Sequence, residues 1–194
     1  MQMKNLLREQ IEKHTIISDE DFEVFFSFFE LKNIKRKEYV LKAGTICDFE
    51  GFVTKGCFKV YYLNGANEEH VLNFAIEDWW IVDLDSFINQ APARLNIVAL
   101  ENSEVLVINK INKELAFEKL PVIEKMFRVL SQKALVALHR RMLSATSKNA
   151  EERYIEFSSK YPQLVNRVAS KHIASHLGIS GEFLSKIKKR IAKR

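Results

Sequence analysis

The residues best suited to chemistry lie at the end of the chain. From Ser185 onward there are six basic residues, Lys186, Lys188, Lys189, Arg190, Lys193 and Arg194, and no acidic one. Such a run neutralises phosphates and supplies affinity without sequence information. Glu182 and Lys186 are side chains of the kind that read base edges. A carboxylate accepts from the cytosine amino group, and an ammonium donates to guanine O6 and N7. At helical spacing Glu182, Ser185, Lys186 and Lys189 share a polar side, while Leu184, Ile187 and Ile191 share an apolar one.

The elements that must position these groups are a helix, a tight turn and a second helix. Ile173, Leu177 and Ile179 are apolar, Ala174 is small enough for close helix approach, and Gly178 falls where the first helix ends. A left-handed glycine there lets the chain turn sharply. An ordinary helical hairpin with a solvated basic tail would show the same periodicity, and a charge run alone is a weaker signal still. The run combined with the Ala174-x-x-x-Gly178 spacing favours a DNA-binding helix-turn-helix, with base reading at the start of its second helix.

The composition supports this placement. The chain has 194 residues, 47% hydrophobic and 28% charged, as in folded proteins, with a net charge of +5. The terminal run exceeds the whole-chain excess, so phosphate affinity should concentrate there. Two cysteines, Cys47 and Cys57, suggest neither a disulfide scaffold nor a thiolate metal site, and a reducing cytoplasm is expected. The N-terminus carries charges where a signal peptide needs an apolar stretch, and no run approaches the ~18 apolar residues of a membrane span. Among His14, His70, His139, His172 and His176, only His172 and His176 stand at i, i+4, without the glutamate of a zinc-protease motif. They read as surface or phosphate-contacting residues, and no metal is expected. No Ser/His/Asp or Cys/His arrangement emerges, so no catalytic residue is assigned and the chain is expected not to be an enzyme. A cupin-like metalloenzyme is the alternative from another class, but the β-region holds only His70. A protein-partner regulator with an incidental basic tail is the third reading.

In chain order, residues 1–13 suggest a short helix. Ser18 caps a second, whose Phe22, Phe25, Phe26 and Phe29 form a core stripe rather than a cofactor box. Between about Leu31 and Lys110 the period changes. Segments at 39–42, 51–54, 58–63, 70–75, 95–100 and 104–108 read as strands, with Asn64-Gly65 suggesting a hairpin, and imply a small jelly roll. Pro121 is placed to start the longest helix. Its apolar residues, among them Leu130, Leu135, Leu138 and Met142, exceed one stripe and leave a side for a second copy of the chain. Burial of that helix within one subunit is the alternative. Asn149 caps the next helix, Pro162 stops it, and 144–148 is the expected hinge.

A β-domain of effector type, a long helix and a C-terminal helix-turn-helix, in that order, resemble the CRP/FNR family of bacterial transcription regulators. The stretch Phe74-Ala-Ile-Glu-Asp-Trp-Trp-Ile-Val-Asp-Leu-Asp-Ser-Phe-Ile88 lies where that family places its effector cassette. The resemblance implies an α+β chain: a double-stranded β-helix (jelly-roll) domain at 1–120, a dimerisation helix at 121–146, and a winged-helix-like helix-turn-helix domain at 147–194. It implies a homodimer on double-stranded DNA, with a small effector in the roll. An activator would add RNA polymerase as a partner, and no segment marks a surface for it. Cyclic-nucleotide-binding members carry a Gly-Glu pair whose carboxylate takes the ribose, and an arginine that with backbone amides takes the phosphate. Here those positions hold Val82-Asp83 and, within 92–96, Arg94. Asp83 and Arg94 could still meet a ribose and a phosphate, yet valine adds a side chain where backbone approaches ligand, so an effector other than cAMP or cGMP, or none, is expected. Of Trp79 and Trp80, strand alternation lets at most one face a pocket. Trp80 is the candidate, with core packing the favoured role for the pair. Two cysteines cannot supply the thiolates of an iron–sulfur cluster, while a haem held by one His or Cys stays open. By the same resemblance Ser180, Glu182 and Lys186 contact phosphate or base, and Lys188, Lys189 and Arg190 contact phosphate. Gly181 stands where the family often has arginine, so the operator should differ from the family's best-known one.

Overall fold

The computed structural model describes residues 2–193. Arg194, an expected phosphate contact, lies outside the described residues. Two helices, α1 (Gln2–Glu12) and α2 (Asp19–Phe26), precede eight strands. These are β1 (Glu30–Ile34), β2 (Tyr39–Leu41), β3 (Phe49–Lys55), β4 (Phe58–Leu63), β5 (Glu69–Ala75), β6 (Trp80–Ile81), β7 (Asn96–Ala99) and β8 (Ser103–Asn109), with α3 (Leu84–Asn89) between β6 and β7. They form two four-stranded sheets, ordered β1-β8-β3-β6 and β2-β7-β4-β5. This is the expected β-roll.

Alternation along the strands explains why the first sheet is buried on both faces. On β3 and β8, Phe49, Val53, Val105 and Val107 point into the roll, where they meet Phe58, Ile81, Phe87 and Ile97. The intervening Phe52, Leu106 and Ile108 point outward and are covered by Leu7, Ile11, Phe22 and Phe25 of the first two helices. Period-two side chains with apolar residues in both sets require cover on both sides. The hairpin from β3 to β4 depends on Gly56. Its φ is +100°, and a Cβ there would stand 2.0 Å from the Ser103 hydroxyl oxygen, so no other residue fits.

Two helices follow, α4 (Lys110–Lys119) and α5 (Pro121–Ser147). At 27 residues and ~1.5 Å per residue, α5 is about 40 Å long. Its first turns bury Ile123, Met126 and Phe127 with the outward face of the first sheet. A charge pair is buried in the same region. Lys113 of α4 reaches Glu50 of β3 at 2.7 Å, with 12% and 7% of their side chains exposed. The ammonium also lies 4.2 Å from the Phe127 ring centre, with Phe87 and Phe117 beyond. Such a pair persists in an interior only because each charge compensates the other.

The chain divides into two compact units, residues 1–60 with 74–134, and 61–73 with 135–194. The second contains α6 (Ala150–Lys160), α7 (Pro162–Arg167), α8 (Ser170–Leu177) and α9 (Gly181–Ile191). Tyr154, Phe157, Leu164, Val168, Ile173, Ala174, Leu184 and Ile187 form its interior. Asn149 caps α6 with a complete capping box. Pro162 both ends the preceding helix and opens α7 at its first position, where its missing N–H costs nothing. Among the described residues no strand follows Asn109. The winged-helix-like unit is therefore helical throughout 150–191 and carries no β-wing there, since residues 162–167 form a helix.

Candidate nucleic-acid interface

Helix α8 ends at Gly178, whose φ of +68° reverses the chain, and the next amide, Ile179 N, returns to the Ala174 carbonyl at 3.0 Å. Ser180 then starts α9: its hydroxyl accepts from Phe183 N at 3.1 Å, a cap that satisfies an otherwise open donor. With Leu184 and Ile187 buried against α8, the helix presents Gly181, Glu182, Phe183, Ser185, Lys186, Lys189 and Arg190 to solvent. The cap, the turn and the exposed side thus place the sequence-derived set on one helix.

Within that set the basic residues are not equivalent. Lys188 is half-buried; its ammonium donates to the Ser170 hydroxyl at 2.7 Å and lies 5.7 Å from the Tyr154 ring. Arg190 donates to Glu151 at the start of α6, at 2.8 Å. Both tie α9 to its own unit. Lys186 and Lys189 are exposed, as is Lys193 just beyond the helix. Phe183, which the sequence-derived set omits, is 44% exposed.

The histidine reading needs correction. His176 is not a surface group: it packs against the Phe157 ring at 5.4 Å. Burial, reinforced by the nearby Arg141 guanidinium, lowers its pKa to about 4. His172 is half-buried, with its Nδ1 3.7 Å from Glu69. The intervening Ser175 hydroxyl accepts from Val71 N at 3.0 Å and donates to the Glu69 carbonyl at 2.6 Å. Arg141 donates to the Leu72 carbonyl. The i, i+4 histidines therefore belong to the packing of 61–73 on α8 within this unit. Among the described residues no three His, Cys, Asp or Glu side chains gather as a metal site would require.

In the roll, the three cassette residues lie apart. Trp80 points away from the roll interior, with Phe52, Phe127 and Phe29 at 5.2, 5.0 and 6.3 Å between ring centres. Trp79 is the tryptophan packed against the interior. Arg94 is exposed. Asp83 is 4% exposed, and both of its oxygens are engaged. One accepts from Ser86 N at 3.3 Å as the cap of α3, and the other from Arg94 N and Leu95 N at 3.2 Å each. Val82 packs on the interior cluster, which Phe49, Phe58 and Phe87 fill. Nearby, burial pushes the Cys47 thiol pKa up, which disfavours a reactive thiolate. This set does not fit a nucleotide held by Asp83, whose carboxylate already closes the 83–95 segment on itself.

Residues 31–114 match the cyclic nucleotide-binding domain family. Among curated protein sequences, none matches the chain. Among solved structures, the c-di-GMP responsive global regulator CLP of Xanthomonas campestris is similar at 15% identity and a TM-score of 0.74, covering 91% of this chain and 92% of that one. The catabolite activator protein of Thermus thermophilus gives 16% identity, a TM-score of 0.57, and coverage of 91% and 84%. A CooA mutant from Carboxydothermus hydrogenoformans gives 16%, 0.69, 87% and 78%. At these identities the likeness is one of fold. Among the described residues no helix is long and apolar enough to cross a membrane.

Proposed function

We propose that this CRP/FNR-like chain, a cyclic nucleotide-binding type of β-roll followed by a helical C-terminal unit, is a DNA-binding transcription regulator acting as a homodimer in the cytoplasm. One observation carries the reading: a helix-turn-helix whose second helix, capped by Ser180, turns an acidic and basic side outward while its apolar side is buried. The set assigned to DNA is Ser180, Gly181, Glu182, Ser185, Lys186, Lys188, Lys189 and Arg190. Glu182 and Lys186 read bases and the rest approach the backbone, with Lys188 and Arg190 also bracing the helix. In functional terms the roll covers 1–120, the dimerisation helix 121–146 and the reader 147–194.

Pairing is supported by α5, whose second half exposes Leu135, Leu138, Met142 and Leu143 at 52–66%. A helix with that much apolar surface in water is suited to a second copy. A two-fold dimer would then read two half-sites about one DNA turn apart. The roll does not take cAMP through Asp83. An effector, where one acts, enters by displacing that carboxylate's amide bonds or binds elsewhere, and an activator would add RNA polymerase as a partner. The regulatory rather than enzymatic reading follows from the fold shared with regulators.

The test is enrichment of bound sequences from random duplex DNA, followed by titration over a salt series. The expected result is a near-palindromic site and a steep fall in affinity with salt. A flat, sequence-blind titration would discard this reading in favour of the protein-partner regulator.

A further inference from the structure

Phe183 stands out on α9. Its neighbours Leu184 and Ile187 are 0% and 1% exposed, yet Phe183 is 44% exposed. Its amide is fixed in the first turn by the Ser180 hydroxyl. Every other exposed residue between 181 and 190 is a glycine, a serine or a charged residue. A single exposed apolar side chain is ordinary on most surfaces. Here, however, it sits one helical turn from Lys186, in the turn that also carries Glu182, on a helix with exposed Lys189 and Arg190. A partner for this face must be polyanionic and still offer something apolar to the ring.

The DNA major groove meets both conditions in one place. Of the groups that base pairs display there, thymine's 5-methyl is the apolar one, and phenylalanine is among the side chains that contact it. We propose that Phe183 is a specificity-determining residue that recognises a thymine methyl in each half-site, beside the polar contacts of Glu182 and Lys186. The inference rests on the DNA-reading function proposed above and adds a base identity to it. Covering the ring removes apolar surface from water, and the methyl supplies the matching surface in the groove.

The experiment uses the full-length protein and its enriched DNA site. Each thymine is replaced in turn by deoxyuridine, which deletes the methyl and leaves every hydrogen-bonding group in place. At one thymine per half-site, wild-type affinity should fall about fourfold, the factor that corresponds to ~0.8 kcal/mol for one buried methyl-sized group. Phe183→Ala should bind the thymine site more weakly and be indifferent to deoxyuridine at that position. Phe183→Leu should keep the sensitivity, and helix content by circular dichroism checks that each variant is folded. Wild-type binding that no deoxyuridine substitution weakens overturns the proposal, as does an equal loss in Phe183→Ala, while leaving DNA reading intact. If no sequence is enriched, the DNA-reading function fails and this inference fails with it.

Discussion

Replacing Asp83 by alanine removes three hydrogen bonds at once and separates a structural carboxylate from one kept for a ligand. The α3 cap bond to Ser86 N is worth about 1 kcal/mol. The bonds from Arg94 N and Leu95 N are charge-assisted but long, 3.2 Å each, so about 1.5 kcal/mol apiece is reasonable. The three share one carboxylate and do not add fully, which brings the expected loss to about 3 kcal/mol. Both tryptophans, Trp79 and Trp80, lie in the unit formed by 1–60 and 74–134, so their fluorescence follows unfolding of the roll. With a urea dependence of about 2 kcal/mol per molar, the midpoint should drop by about 1.5 M. Asp83→Asn should fall between, because its amide turns one acceptor into a donor facing a donor. A loss below ~1 kcal/mol for Asp83→Ala would refute the reasoning, since the carboxylate would then be dispensable to the fold and available to a ligand.

Three further outcomes follow. His176 has a folded pKa of about 4, below its ordinary ~6.5, so the unfolded chain binds the proton first. Stability is then full above ~6.5 and is lost as pH falls toward 4, by about 2 kcal/mol between pH 7.5 and 5. Urea unfolding followed by circular dichroism should show this loss in the wild type and a smaller one in His176→Gln. At the buried pair, Lys113→Met or Glu50→Gln alone should destabilise, the former by about 3 kcal/mol because it strands a charged carboxylate, while the double variant should recover most of the loss. On DNA, Lys189→Ala should weaken binding to all sequences and reduce the salt slope by about 0.9. Glu182→Ala should instead relax sequence preference, and an equal loss on specific and random DNA would argue against its base contact.

What could be read from the residues was what local pattern determines. Gly178 and Ala174 announced the turn, and alternation announced most strands, because period and turn chemistry act within a few residues. Strand β1 carried a weaker signal: of Glu30–Ile34 only Ile34 is buried, so no alternation marks it. Pro162 was legible as a stop, yet the same proline opens α7, and a helix there displaced the expected wing. Alternation required Trp79 and Trp80 to face opposite sides, but which faces the roll depends on helices packed from outside. The role of Asp83 was hidden for a similar reason, since two of its three donors come from eleven and twelve residues away. His176 looked like a surface residue because its burial comes from Phe157 and the 61–73 segment, neither of which is near it in sequence.

One unbroken helix, α5, carries core side chains at Ile123, Met126 and Phe127 and exposed apolar ones from Leu135 to Leu143. If a second copy covers the latter, association stabilises the same rod that folding orders, and mass action links the two. The population of fully ordered, paired rods then rises with the number of chains per cell. Such a regulator would read its own abundance before it reads any operator, and a modest fall in expression would silence it more steeply than in proportion.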